Sequence, residues 1–115
     1  VVLDPAAGVG GFILEPLMWP DSLVGNLRII SGKPVRRIRT VGLDVDGDLH
    51  ILGKANMLLH IAELVRDPAT TPSALNKAMA ETFVLMDDDK TLGSLLQPPV
   101  DNVDVILTNP PYVTR

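Results

Sequence analysis

Four short apolar runs, each closed by a polar group, limit what this chain can fold into: VVLD at 1–4, TVGLD at 40–44, FVLMDDD at 83–89 and VILTN at 105–109. Runs of this length and composition suit buried strands. The stretches between them carry helical spacing or turn residues. The order reads strand, helix, strand, helix, strand, strand. Strands alternating with helices build βαβ units, so the expectation is an α/β fold with a mainly parallel sheet. No short hairpin signal separates the last two strands, so they too can be parallel. Ligands of an open α/β sheet bind outside the carboxyl ends of its strands. The polar closures Asp4, Asp44, Asp87–Asp89 and Asn109 then fall along one edge, and four together say more than any one alone.

The connecting segments are less uniform. DPAAGVGG is a turn of small residues, and Phe12–Met18 has helical character that Pro16 should cut or kink. Trp19–Asn26 reads as a loop. Leu27–Ile30 and Val35–Thr40 read as two short strands around SGKP. The strongest helix signal covers Asp48–Arg66, where Leu49, Leu52, Ala55, Leu59 and Ala62 recur at spacings of three and four. Leu58, Ile61 and Val65 add a second row, which predicts burial over much of the helix surface. Gly53 weakens this helix, Asp46 or Asp48 can cap its start, and Asp67-Pro68 ends it. Ser73–Glu81 reads as a second helix capped by Ser73, Thr91–Leu96 as one helical turn, and Val103–Thr108 as the last strand.

Composition narrows the class. The chain has 115 residues, enough for one small domain with a core. Aromatic residues make up 3 %, so that core must be aliphatic. There is no cysteine, hence no disulfide and no thiolate metal site, as suits a cytoplasmic protein. No apolar run approaches the roughly 20 residues of a membrane span. The start lacks a signal-peptide pattern and opens inside a strand, and the end stops just past a functional-looking turn. Both suggest a piece of a longer protein. A net charge of −4 argues against broad nucleic-acid affinity. Arg28, Lys33, Arg36, Arg37 and Arg39 nevertheless lie within twelve residues containing no acid. A solvated loop or edge strand is the ordinary account of that run, and a phosphate-contacting patch is the functional one. His50 and His60 read as surface or packing residues, and Met57, Met79 and Met86 as core fillers.

Two motifs carry chemistry. In DPAAGVGGF, Gly8, Gly10 and Gly11 let the backbone turn tightly and approach a ligand, and the helix that follows can offer N–H groups. It is not the dinucleotide fingerprint, because Ile13 stands where the last glycine belongs. Asp44 closes the second strand, where a carboxylate can accept hydrogen bonds from ribose hydroxyls. It lies beyond the roughly 20-residue spacing of a standard unit, which makes Trp19–Arg39 an insertion. Asp44 can equally well just begin the turn VDGD. In VILTNPPYV, Pro110 and Pro111 fix their own backbone and push the preceding residue toward extended geometry. The strand thus leaves the sheet stiffly, carrying a carboxamide at Asn109 and a phenol at Tyr112.

DPAAGVGGF followed by NPPY resembles the N6-adenine DNA methyltransferases, in particular the modification subunit of type I restriction–modification systems. That family shows D-P-x-x-G-x-G-G-F, an acid after the second strand, a helix with N-x-x-L-H-G, and N-P-P-F/Y. Here Asn56, Leu59 and His60 match the third element, with Ile61 in place of its glycine. Ala7 and Val9 replace residues that are often Cys and Thr. The resemblance runs from Val1 to Tyr112 and implies a truncated, Rossmann-like methyltransferase core using S-adenosylmethionine. Asp4, Ala6, Gly8 and Gly10 would line the methionine end of the cofactor, and Asp44 would hold the ribose. One of Asp87, Asp88 and Asp89 would meet the adenine, with Asp89 favoured.

By the same resemblance Asn109 and the Pro110 carbonyl would accept from the target amino group, with Pro111 holding the loop and Tyr112 stacking on the flipped base. An exocyclic amine is a poor nucleophile because its lone pair is delocalised. Two acceptors that draw its protons favour a pyramidal nitrogen, and the chemistry then needs alignment and electrostatic complementarity rather than a metal. DNA is the implied partner, with specificity and restriction subunits beside it and no membrane. Target recognition is expected to lie outside this stretch, so the isolated chain is expected to be inactive. An RNA or protein-glutamine methylase with the same NPPY loop, or a non-catalytic nucleotide-binding scaffold, are the alternatives.

Overall fold

A computed structural model describes residues 1–18, 26–86 and 102–110. Their elements are β1 (Val2–Asp4), α1 (Gly11–Met18), β2 (Leu27–Ile30), β3 (Lys33–Arg36), β4 (Thr40–Asp44), α2 (Gly47–His60), α3 (Ala62–Arg66), α4 (Pro72–Thr82), β5 (Phe83–Leu85) and β6 (Val105–Ile106). The sheet runs β5-β4-β1-β6 with every pairing parallel. The fold is therefore α/β, as the strand and helix signals require. In chain order the strands stand third, second, first, fourth. The order reverses between β1 and β6, which is where open α/β sheets form their ligand crevice.

Register sorts the side chains onto two faces. Leu3 lies beside Val41, and Leu43 beside Val84. Leu3, Val41 and Leu43 form one buried cluster, with Val1, Val84, Met86 and Val103 packed against it. On the opposite face Ile13, Leu14, Met57, Ile61, Ala78 and Phe83 join Leu27 in the larger cluster. The helices come close to this face because small residues admit them. A Cβ on Gly42 would lie 2.5 Å from Ile13 Cδ1. The Phe83 ring fills a slot between two glycines. A Cβ on Gly10 would meet it at 2.6 Å, and one on Gly53 at 2.7 Å.

Several expectations need correction. The helix over 48–66 is two helices, interrupted at Ile61 (φ −104°, ψ 28°). A β-branched residue lends a helix little support, and the break lets both Ile61 and Leu64 join the core. The buried positions of α2 are Gly53 and Met57, whereas Leu52 is 52 % and Leu59 74 % exposed. An apolar helix with two candidate rows is oriented by whichever row lets the sheet approach. Gly53, read from sequence as a weakness, is what admits Phe83.

The start of α2 is capped by Asp46, which accepts from the Asp48 and Leu49 N–H groups at 2.9 and 3.2 Å. α4 is capped by Thr71, which accepts from Ala74 N at 3.2 Å, and not by Ser73. Pro72 sits at the first helical position, where its missing N–H costs nothing, so the cap falls one residue before it. Pro16 stays inside α1 and is buried. The β2–β3 turn is Ser31-Gly32, both at positive φ, so Lys33 and Pro34 lie in the strand and Thr40 belongs to β4. The last strand is confined to Val105–Ile106. The expected Trp19–Asn26 loop, apart from Asn26, lies outside the described residues, as does the Thr91–Leu96 turn.

The basic hairpin leads into β4 at its first residue, so it hangs from the amino-terminal edge of the sheet, opposite Asp4 and Asp44. Asn26 anchors its base, accepting from Ile38 N through its side chain and from Arg37 N through its carbonyl. Arg36 pins it to α4 by donating to the Ala78 carbonyl at 2.5 Å. Burial lowers the Arg36 pKa, and Glu81 opposes that shift. Among the described residues no helix is long and apolar enough to cross a membrane.

Candidate cofactor and acceptor site

At the carboxyl edge the chain leaves β1 through a loop held at nearly every residue. Asp4 is 2 % exposed and accepts from Ala6 N at 3.0 Å. Ala7 N donates to the Leu43 carbonyl at 2.9 Å, which ties the loop to β4. Gly10 N donates to the Ala7 carbonyl at 2.8 Å, and Leu14 N to the Gly10 carbonyl at 2.9 Å, which begins α1. Gly8 and Gly10 have φ of 54° and 88°, values that favour glycine.

Asp44 joins the loop to the second strand. Its Oδ2 accepts from Gly8 N at 2.8 Å and its Oδ1 from Asp46 N at 2.9 Å. It therefore does begin the VDGD turn, and it also clamps the glycine loop. Asn56 on α2 reaches the same loop, donating from Nδ2 to the Val9 carbonyl at 3.2 Å. One turn on, His60 Nδ1 lies 2.8 Å from the Asn56 carbonyl. Since a carbonyl only accepts, this nitrogen carries a proton. Burial, and secondarily Lys54, lower the His50 pKa, while Asp44 pulls it the other way.

Two cavities open here. The larger, about 520 Å³, has Asp44 and Asp46 on its wall and an apolar portion from Val45, Leu49 and Met86. The smaller, about 270 Å³, is bounded by Asp4, Ala7, Gly11 and Phe12. Ala6, Gly8 and Asn109 line both. Asn109 thus stands where the cavities meet, two residues past Leu107, whose N–H is held by the Leu3 carbonyl at 3.0 Å.

Of the residues singled out from sequence, Asp4, Ala6, Gly8, Asp44 and Asn109 come together. Gly10 lines neither cavity. It turns the chain into α1 and leaves room for Phe83. Pro110 is exposed at the end of the described segment. Pro111, Tyr112 and Asp87–Asp89, with the favoured Asp89, lie outside the described residues. Sequence reasoning assigned no role to Asn56, Phe12 or Asp46 in the site, and it read Leu49 and Met86 as core. Asn56 did carry a signal, as the first residue of the N-x-x-L-H match on the strongest helix. Among the described residues no group of three or more His, Asp or Glu side chains could hold a metal ion.

A glycine loop after the first strand and a carboxylate after the second, at the carboxyl ends of a parallel sheet, place the chain in the Rossmann-like class of α/β folds. Within it, the chain belongs to the N-6 DNA methylase family, whose model matches residues 1–115. Its family is thus one of DNA methyltransferases. No curated protein and no solved structure matches the chain.

Proposed function

We propose that this chain is the cofactor-binding and acceptor-binding part of an enzyme that methylates adenine N6 in DNA with S-adenosylmethionine, as the modification subunit of a type I restriction–modification system. The observation that carries this reading is Asn109 at the junction of the two cavities. A donor in one and an acceptor in the other would meet at its carboxamide.

The larger cavity fits the cofactor by its chemistry. Val45, Leu49 and Met86 offer an apolar slot suited to an adenine ring. Asp44 offers acceptors suited to ribose hydroxyls. Each carboxylate oxygen has about two acceptor sites, so Asp44 can keep the Gly8 and Asp46 N–H groups and accept more. Gly8, with nothing within 4 Å of where a Cβ would stand, lets a ligand lie against the backbone.

When bound, S-adenosylmethionine supplies a methyl group made electrophilic by its sulfonium. Asn109 Oδ1 and the Pro110 carbonyl accept the two N–H bonds of the target amine, which localises its lone pair. With the cofactor held by Asp44 and the glycine loop, its methyl would pass to that nitrogen and the carbon–sulfur electron pair would stay on sulfur. The amine left cationic by that transfer would be stabilised by the same two acceptors and would release one proton to solvent. Tyr112 is assigned the face of the flipped base and Asp89 the adenine end of the cofactor. Specificity and restriction subunits complete the system in the cytoplasm, and the isolated chain methylates no DNA.

Calorimetric titration of the chain with S-adenosylhomocysteine, with NAD as control, tests the cofactor half. Selective binding that is lost in Asp44→Ala supports the reading, and equal binding of NAD rejects it. For the acceptor half, Asn109→Ala in the complete enzyme should keep cofactor affinity within about twofold. Methyl transfer should fall by at least about 100-fold, the usual cost of removing one preorganised electrostatic partner. Retained transfer in that variant rules out the assigned chemistry.

A further inference from the structure

We propose that the outward face of the β2–β3 ribbon is a docking surface for the phosphate backbone of DNA, away from the target base. The inference deepens the function proposed above and rests on its choice of DNA as partner. Pairing sets the faces of the ribbon. Arg28 stands opposite Val35 and Ile30 opposite Lys33, so these four side chains share one face. All four are exposed, Ile30 by 51 % and Val35 by 46 %. Arg37 follows them, also exposed, with its N–H on the Asn26 carbonyl. In this register Lys33 and Arg37 are the two diagonal neighbours of Arg28, about 7–8 Å away and within reach of long side chains.

The other face meets the fold. Leu27 joins the larger core cluster, and Arg36 donates to the Ala78 carbonyl. Glu81 borders a small cavity there with Pro34, Arg36 and Arg39, so those two arginines have an acid beside them. Arg28, Lys33 and Arg37 do not, and among the described residues none of the three forms an ion pair. Like charges held side by side on a strand pair repel, and neither the core nor the pairing calls for them. A polyanion relieves that repulsion. The chain as a whole carries a net charge of −4, so attraction to DNA has to come from a local surface such as this one. Duplex DNA presents a phosphate about every 1.7 Å of helix axis, which lets neighbouring cations each meet one. The two aliphatic side chains among them can lie against deoxyribose. The ribbon enters β4 at its amino end, far from Asp44 and Asn109, so contact there would position flanking duplex and carry no sequence information.

The probe is a short labelled DNA duplex of mixed sequence, titrated by anisotropy at several NaCl concentrations. The wild type would be compared with the triple variant Arg28→Gln, Lys33→Gln, Arg37→Gln, with the charge-conserving Arg28→Lys, and with Arg66→Gln, an exposed cation of α3, as control. Between about 200 and about 50 mM NaCl the wild-type affinity should rise roughly 40-fold, from three phosphates at about 0.9 each in the log–log slope. In the triple variant that rise should shrink to about twofold or less. Arg28→Lys and Arg66→Gln should keep the wild-type slope. If urea unfolding shows the triple variant to be unfolded, Arg28→Gln and Lys33→Gln decide singly, each reducing the slope by about one. Equal slopes in the wild type and a folded triple variant, no duplex binding by the wild type, or an equal loss in Arg66→Gln overturns the proposal. So does displacement by inorganic phosphate at matched ionic strength, which would make this a free-anion site. Preferential capture of polyglutamate would make an acidic protein the partner and overturn it too. S-adenosylhomocysteine binding, titrated in parallel, should be the same in every variant. Duplex binding through the ribbon in a chain that never binds S-adenosylhomocysteine would reject the cofactor reading alone, and the reverse would reject the ribbon alone.

Discussion

The two sides of the site are built differently. The glycine loop leaves β1, which is flanked by β4 and β6, and it is tied to β4 by the Ala7 and Gly8 N–H groups and to α2 by Asn56. Helices close over the core behind it. Asn109 leaves β6, the edge strand, where Val105, Ile106 and Leu107 are 44 %, 57 % and 44 % exposed. Its strand is held to Val1 and Leu3 by backbone bonds and, just before it, by an ion pair between the Asp104 carboxylate and the Val1 ammonium. The glycine-loop side is thus preorganised by hydrogen bonds and packing that converge from three elements. The Asn109 side hangs from a strand of only two residues, Val105–Ile106.

The largest test of that contrast is at Gly10. In Gly10→Ala the new methyl meets Phe83 Cζ at 2.6 Å and an L residue must hold φ 88°. Overpacking costs about 1–3 kcal/mol and the strained backbone roughly another 1–2 kcal/mol. A loss of about 2–5 kcal/mol is expected from urea unfolding. Gly8→Ala shares the positive φ but has open space around it, so it should lose only about 1–2 kcal/mol. Equal losses at the two positions would mean that the Phe83 slot contributes nothing.

The same residues show what can be read from sequence. A strand ending in an acid or amide is visible because an apolar run stops at a polar group, and Asp4, Asp44 and Asn109 were found that way. Parallel order was visible because helices separate the strands. The face of α2 was not visible, since its apolar residues form rows on several sides and the choice depends on Phe83 finding Gly53. Nor was the role of Asn56, whose partner Val9 lies 47 residues away. Phe12 looked like one more apolar residue of α1 until its exposure set it apart. Local pattern reveals which groups end a strand, and tertiary contact decides what a helix presents to them.

Asp44→Asn is the next largest perturbation. A carboxamide has one oxygen where the carboxylate had two, so one of the Gly8 and Asp46 N–H groups would face an NH₂. Losing a hydrogen bond to a charged group costs about 1.5–3 kcal/mol. That loss should appear in urea unfolding and as a fall of roughly tenfold or more in S-adenosylhomocysteine affinity. A stability unchanged within 0.5 kcal/mol would show that Asp44 does not clamp the loop. Asn56→Ala removes a single bond between neutral groups at the protein surface. About 0.5–1.5 kcal/mol is expected, with cofactor affinity falling only a few-fold. If affinity fell as far as in Asp44→Asn, Asn56 would have to touch the ligand itself rather than the loop.

The smallest expected effect belongs to His50, on the first turns of α2 near Asp44. Burial, with Lys54, holds its folded pKa below 6.5, and Asp44 opposes that shift. Above 6.5 the imidazole is neutral in both folded and unfolded chains, and its contribution to stability is fully present. As pH falls below 6.5 the unfolded chain takes up the proton first, so stability declines until the folded pKa is passed. His50→Gln should flatten that part of the profile when urea midpoints are compared at pH 7.5 and 5.5. The sign also reports on the clamp. In Asp44→Asn the group that raises the His50 pKa is gone, so its imidazole signals should titrate at still lower pH. An upward movement there would mean that Asp44 does not act on His50 as a negative charge. Asp44 acts on His50 electrostatically, so under the proposed function S-adenosylhomocysteine bound at Asp44 should move the titration and adenine-strand binding should not.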